Sequence, residues 1–409
     1  MIIKPFRGIR PVSDMVGKVQ SPPYDVVERE KVREVVSSNR FSFLRITRAD
    51  AELGDEINEY DSIVYKKARE NFLDFVEKGI LVTDPTPCFY ILKQRWEDGE
   101  RTGIYALVSC VEYNTGKIKK HELTRPEKEK DRTRHIGAVR AQTGPVMLAY
   151  KRNERGLEDI VSEVMERKPV YNFEDETGVQ NILWILSDSE KVKVVEKYFE
   201  GIDSFYIADG HHRAASAYNL WKEYGSRNGI SPFDYFLAVL FPADELCIYP
   251  YNRVAKFPDG YGYEDILEGI RRNFYLRGAK DLTPERKGEI KVYTNDRMFS
   301  IELKKGLRNT VDVLKNLDVF VLQEYLLKPV LKIIDVRSSD KVAFVSGKDS
   351  ELMLKELVDS GEYDIAFSLY PVSMGDLMKV TDNGYLMPPK STWFEPKLRD
   401  GVVTYSLNL

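Results

Sequence analysis

Apolar residues recur along the chain at two spacings, and these spacings predict its elements. Short runs rich in β-branched and aromatic residues mark strands at 41–47, 88–92, 104–113, 146–150, 182–187, 205–208 and 236–241. Trp96 to Glu100 supplies the turn between the second and third of these runs. Helical spacing marks 62–78, where Val64, Ala68, Phe72 and Phe75 share a face, Ser62 can cap and Gly79 closes. The same period predicts helices over 156–167, 189–200, 214–224 and 264–274. Residues 291–303 read as a hairpin about Thr294-Asn295-Asp296, and 342–369 as strand, helix, strand. Leu317 to Leu331 is an apolar helix that Pro329 must end or kink. Ser21-Pro22-Pro23-Tyr24-Asp25 can only be a stiff loop, and 117–134 is a charged stretch. Strands interleaved with helices give a mixed α/β fold, with a soft division into regions 1–235 and 236–409.

Composition narrows the possibilities. The 409 residues are 43% hydrophobic and 31% charged, enough apolar material for a sizeable core. A net charge of −4 supplies no global basic footprint for nucleic acid. The three cysteines, Cys88, Cys110 and Cys247, have neither metal-site nor disulfide spacing, which fits a reducing cytoplasm. No apolar run approaches the ~18 residues that a membrane-spanning helix needs, so no membrane partner is expected.

Histidine is scarce and clustered. The four residues are His121, His135, His211 and His212. The strand-like Phe205-Tyr206-Ile207 runs into Asp209-Gly210-His211-His212-Arg213, and a helix follows. Gly210 permits a tight turn, and the first amides of the helix point outward as an anion site favoured by the dipole. Arg213 offers a planar fork to phosphate oxygens, and the histidines can donate hydrogen bonds. Asp209 can cap the helix, orient a histidine or help hold a metal–phosphate complex. The plain alternative is an Asp-Gly turn with an Asp cap. Direct zinc binding suits the string poorly, because adjacent histidines diverge on a helix and no cysteine is near. Upstream, His121-Glu122 lies in a basic stretch that includes Arg132, where one carboxylate could serve as a general base. Lys390-Ser391-Thr392 follows two prolines and could bind phosphate or carboxylate. Arg7 and Arg10 are weaker anion candidates. No Walker phosphate loop and no Gly-x-Ser-x-Gly elbow occurs.

Asp209-Gly210-His211-His212-Arg213 after a strand resembles the signature of archaeal free-serine kinases, of the ParB/sulfiredoxin-like fold class. In that family a His-Glu pair lies upstream, as His121-Glu122 does here, and a segment containing Ser-Pro-Lys-Thr-Thr ends the chain, to which Pro388-Pro389-Lys390-Ser391-Thr392 is similar. Nearly the whole chain is similar to a longer bacterial and archaeal family known as a domain of unknown function. Its hallmarks resemble Pro22-Pro23-Tyr24-Asp25-Val26, the 121–132 stretch, His211-His212-Arg213 and Lys390-Ser391-Thr392. The resemblance implies a ParB/sulfiredoxin-like core with large insertions. It also implies phosphoryl transfer from ADP, ATP or pyrophosphate to the hydroxyl of free L-serine or a similar metabolite. Glu122 would be the base, with Asp209, His211 and His212 completing the catalytic set. Gly210, His211, His212, Arg213 and Arg132 would hold phosphates, and His121, Lys390, Ser391 and Thr392 the acceptor. Magnesium would be carried mainly by the donor phosphates, with no metal ligands of the protein's own. The alternative is a ParB-like nucleotide-binding switch or nucleic-acid-binding protein without kinase activity; the charge argues against nucleic acid. A sulfiredoxin-like reductase would need a cysteine where His211 stands.

Overall fold

The structure is a computed structural model that describes residues 1–153, 156–226, 231–309, 311–348 and 350–408. The chain forms two compact units. The first comprises 1–120, 124–246 and 396–409; the second comprises 121–123 and 247–395. The division thus falls after Leu246, later than the 235/236 division read from the sequence, and the chain end returns to the first unit. Tyr235–Pro242 shows why. It is an interior strand, paired antiparallel to Gly99–Ser109 on one side and parallel to Val146–Tyr150 on the other.

The first unit is built on a nine-stranded mixed sheet. From one edge the strands run Ile118–Lys119, Phe205–Asp209, Val146–Tyr150, Tyr235–Pro242, Gly99–Ser109, Phe89–Trp96, Gln180–Leu186 and Tyr171–Glu174, with Ile3–Lys4 also paired on Gly99–Ser109. Alternate residues of these strands, such as Phe205, Ile207, Leu148 and Val146, enter one core. Helices Glu158–Met165, Ser189–Glu200 and His211–Tyr224 cover it with Val164, Val195, Phe199, Ala214 and Ala217. A separate core gathers Phe72 and Phe75 of helix Ser62–Glu77 with Phe43, Ile46 and Val139. The mixed α/β class expected from the sequence is the class observed.

The second unit carries a six-stranded antiparallel sheet in the order Phe274–Gly278, Arg297–Leu303, Ile290–Thr294, Ile365–Leu369, Tyr251–Ala255 and Val342–Ser346. Its hairpin turns at Asn295 and Asp296, both at positive φ (47° and 56°), as a two-residue turn of the primed type demands.

Two expected elements take other forms. Phe41 to Thr47 reads as a strand, but Leu44–Thr47 is a single helical turn. Phe43 and Ile46, three apart, enter one core while Leu44 enters another, and only helical spacing aims them so. The charged stretch contains an unforeseen helix, Pro126–Val139, started by its proline. The expected break near Pro329 is present: Asp318–Leu322 continues as a π-helical turn over Gln323–Leu327. Pro329 has no N–H for the Tyr325 carbonyl, which accepts from Asn273 Nδ2 instead (3.0 Å).

Candidate functional site

The histidine motif lies at a strand-to-helix junction in the first unit. Strand Phe205–Asp209 is irregular against Val146–Tyr150, with a register shift between Ile207 and Asp209. Such a shift re-aims the strand end. Gly210 then turns the chain at φ +93°. A Cβ there would lie 3.3 Å from both the Val146 Cα and Arg213 Nε, so the conformation calls for glycine, and a side chain would also need these neighbours to give way by a few tenths of an ångström. Helix His211–Tyr224 follows, and its first intrahelical bond runs from Ala214 N–H to Gly210 O (3.0 Å). Gly210, at the cap position, has no side chain to cap this end, and the helix's positive pole lies at the motif.

Asp209 does not act as the cap. Its carboxylate instead pairs with Arg213 Nη2 (3.7 Å) and with Lys397 Nζ (3.6 Å). Burial opposes its charge, yet Lys397, Arg213 and His211 outweigh burial and bring its pKa down to about 2. Arg213 is only 7% exposed. It donates Nη1–H to the Pro145 carbonyl, while its Nε makes no hydrogen bond. A buried guanidinium so sparsely matched is suited to an anion. His212 Nε2 accepts from the Arg125 N–H (3.0 Å), which places that ring's proton on Nδ1.

Arg132 reaches the same region from helix Pro126–Val139. It donates to Asp131 (2.7 Å) and the Thr47 carbonyl (3.3 Å), and its guanidinium lies 4.0 Å over the Tyr24 ring. Arg132 and Arg213 line one small cavity with Tyr24, His135 and Asp400. The stiff Pro22-Pro23-Tyr24-Asp25 loop therefore supplies an aromatic wall, and the structure brings together two arginines that are 81 positions apart (213 − 132). His135 is buried and bonds the Ile46 carbonyl through Nε2 (2.9 Å). Burial first, then Arg132, lowers its pKa to about 3, so it stays neutral.

The remaining expected residues belong to the second unit. His121 Nε2 bonds Thr392 Oγ1 (2.9 Å), and the His121 carbonyl accepts from Met387 N–H (2.8 Å). Ser391 commits its hydroxyl to the Pro388 carbonyl (2.6 Å). Arg253 binds the carbonyls of Pro389 and Lys390 at 3.2 and 2.8 Å, and Lys390 sits at φ +58° with its Nζ 5.6 Å from the Tyr251 ring centre. Glu122 is half-buried beside His121 in sequence. The histidine–threonine pairing links two segments that were expected to act together. Ser391, by contrast, has its hydroxyl proton already engaged.

Sequence inspection missed Lys397 and Asp400. Both lie on the returning segment 396–409, and nothing about a lysine and an aspartate near a chain end marks them out. Only the fold brings them to the motif.

Fold and site together define a mixed α/β protein with a buried, sparsely matched arginine where a strand enters a helix. The family model described as "Protein of unknown function (DUF1015)" matches residues 3–320. The chain belongs to that family. A search of curated proteins returns no match. Solved structures show distant likeness. A conserved hypothetical protein from Pyrococcus furiosus is 14% identical with a TM-score of 0.38, over 74% of this chain and 95% of that one. A free serine kinase in complex with AMP is 15% identical with a TM-score of 0.39, over 74% and 92%. SbnI with a C-terminal truncation, from Staphylococcus aureus, is 12% identical with a TM-score of 0.38, over 72% and 85%. Among the described residues no helix is long and apolar enough to cross a membrane.

Proposed function

We propose that the protein is a small-molecule kinase that transfers a phosphoryl group from ADP, ATP or pyrophosphate to the hydroxyl of free L-serine or a similar small metabolite. The observation that carries the reading is Arg213: a buried guanidinium with one hydrogen bond and one long ion pair, in the first turn of a helix that starts at Gly210. The motif resemblance to free-serine kinases adds the acceptor class. In this reading the helix amides, His211, His212, Arg213 and Arg132 hold donor phosphates and stabilise charge on the transferring group. Glu122 accepts the proton of the acceptor hydroxyl. Lys390 and Thr392 bind the acceptor, with His121 orienting the Thr392 hydroxyl. Ser391 serves by shaping its turn.

Magnesium would supply charge neutralisation along the donor phosphates. The donor set fits an ion carried by the nucleotide: Asp209 is ionised but already faces Lys397 and Arg213, which leaves little attraction for a directly bound cation. Asp209 accordingly orients the loop and its cations, or a water of the ion.

A transfer assay crossing the three donors with serine, threonine, homoserine and simple alcohols, with magnesium present, tests the reading. Product is expected with at least one hydroxyl amino acid. Glu122→Gln should lower kcat by at least about a hundredfold, the usual size of a general-base contribution, while leaving nucleotide affinity within about twofold. Full activity in that variant removes Glu122 from the role. Tight nucleotide binding with no acceptor used would favour a nucleotide switch.

A further inference from the structure

The small cavity behind Arg213 lies wholly in the first unit, and the kinase reading leaves most of its wall unexplained. Its volume is about 20 Å³, room for one water. Tyr24, Arg132, His135, Gly144, Arg213 and Asp400 line it. Three buried polar atoms of these residues make no hydrogen bond: Arg213 Nε, His135 Nδ1 and Asp400 Oδ1. Orphaned buried groups are rare in folded proteins, and three on residues around one water-sized chamber mark a polar pocket rather than an apolar packing gap.

Asp400 is held there firmly. Its backbone exchanges two hydrogen bonds with Ser21 (3.1 and 2.9 Å), and its side chain is buried, at 1% exposure. Its Oδ1 fills the space of a missing side chain: a Cβ on Gly144 would lie 2.3 Å from it.

We propose that Asp400 is a positioning residue for Arg213, whose carboxyl group, acting across this chamber, competes with a bound phosphate for the guanidinium. The inference rests on the phosphate-site reading above and deepens it. Ionised, Asp400 offers Arg213 a counter-charge in a low-dielectric pocket and weakens its hold on an anion. Neutral, it releases the guanidinium to the ligand.

The groups around Asp400 leave it as the titrating member near neutrality. Burial raises its pKa to about 7; Arg213, Arg399 and Arg132 oppose the rise and Asp25 adds to it. Arg213 comes from helix His211–Tyr224, Arg132 and His135 from Pro126–Val139, Tyr24 and Asp25 from the proline loop, Arg399 from the same segment, and Tyr105 from strand Gly99–Ser109. His135 is neutral at these pH values. Burial pushes Tyr24 and Tyr105 well above the ordinary tyrosine range.

The test is Asp400→Asn, an isosteric group without the charge, in the full chain. Calorimetry would follow binding of inorganic pyrophosphate, and separately of ADP, by both proteins from about pH 5.5 to about pH 8.5. Comparison at each pH cancels the ligand's own ionisation. The affinity ratio of variant to parent should be near one at the acid end. It should rise to several-fold, up to about tenfold, at the alkaline end, the size of a one-unit coupling. A ratio that is flat across pH overturns the role of Asp400. Should the variant fail to fold, the Asp400 carboxyl can be titrated in the parent protein by carbon NMR. Pyrophosphate must raise its pKa, and an unmoved titration overturns the proposal. If neither probe binds the parent protein at any pH, the phosphate-site reading fails and this inference with it. Binding with a flat ratio defeats only the inference.

Discussion

At Gly210 one residue serves conformation and chemistry together. Its φ of +93° lies where side chains are disfavoured, and Val146 and Arg213 occupy the space a Cβ would enter. Gly210→Ala should therefore cost about 1–2 kcal/mol from the left-handed backbone alone. It should cost more if the Val146 backbone cannot yield. Urea unfolding would measure that loss. Because the new methyl would crowd Arg213 Nε, pyrophosphate affinity should fall as well; a variant that loses stability but binds normally would separate Gly210 from the anion site. Of the three tasks open to Asp209 from the sequence, capping is the one the structure sets aside. A capping aspartate was a fair expectation before a helix, but its charge goes to Lys397 and Arg213. That choice depends on a lysine nearly two hundred positions away, which no local rule can supply.

Elements were most legible where local chemistry and packing agree. Helix Ser189–Glu200 has the bounds its apolar period predicts, with Asp188 accepting from the N–H groups of Glu190 and Lys191 (3.1 and 3.0 Å). Asp188→Ala should lower the midpoint of chemical denaturation, because two amides of the first turn lose their acceptor, with no effect on ligand affinity. Strand Val146–Tyr150 and the hairpin at Asn295-Asp296 were equally plain. Legibility failed where side chains are buried by pairing rather than by being apolar. Helix Pro126–Val139 hides Asp131, Arg132 and His135, so its buried face is not the hydrophobic stripe that a periodic reading seeks. Tyr65 donates to Asp131 (2.9 Å), and Asp131 in turn accepts from Arg132, which makes that burial tolerable.

At the scale of the molecule, the returning segment 396–409 belongs to the first unit although the second precedes it in sequence. It completes that unit's polar interior. Arg101, 1% exposed, donates to the Pro396 carbonyl and to Gln94, and Tyr405 pairs with Gln142. Removing 396–409 would take the Pro396 carbonyl from a buried guanidinium and would delete Lys397 and Asp400. Loss of the cooperative thermal transition, or a fall in its midpoint by many degrees, is the expected result in circular dichroism. A truncated chain that melts like the whole would show the segment to be dispensable. By itself the sequence determined the mixed α/β class, most strand and helix positions, and the motif from Asp209 to Arg213. Those follow from residue periodicity and from short-range backbone rules, which act over a few positions. Only the tertiary structure decided that Arg132, Arg213, Tyr24 and Asp400 share one chamber, that Asp209 answers to Lys397, and that His121 meets Thr392. Charge pairing and burial act through space between residues far apart in the chain, and no local pattern encodes which of many charged side chains will meet.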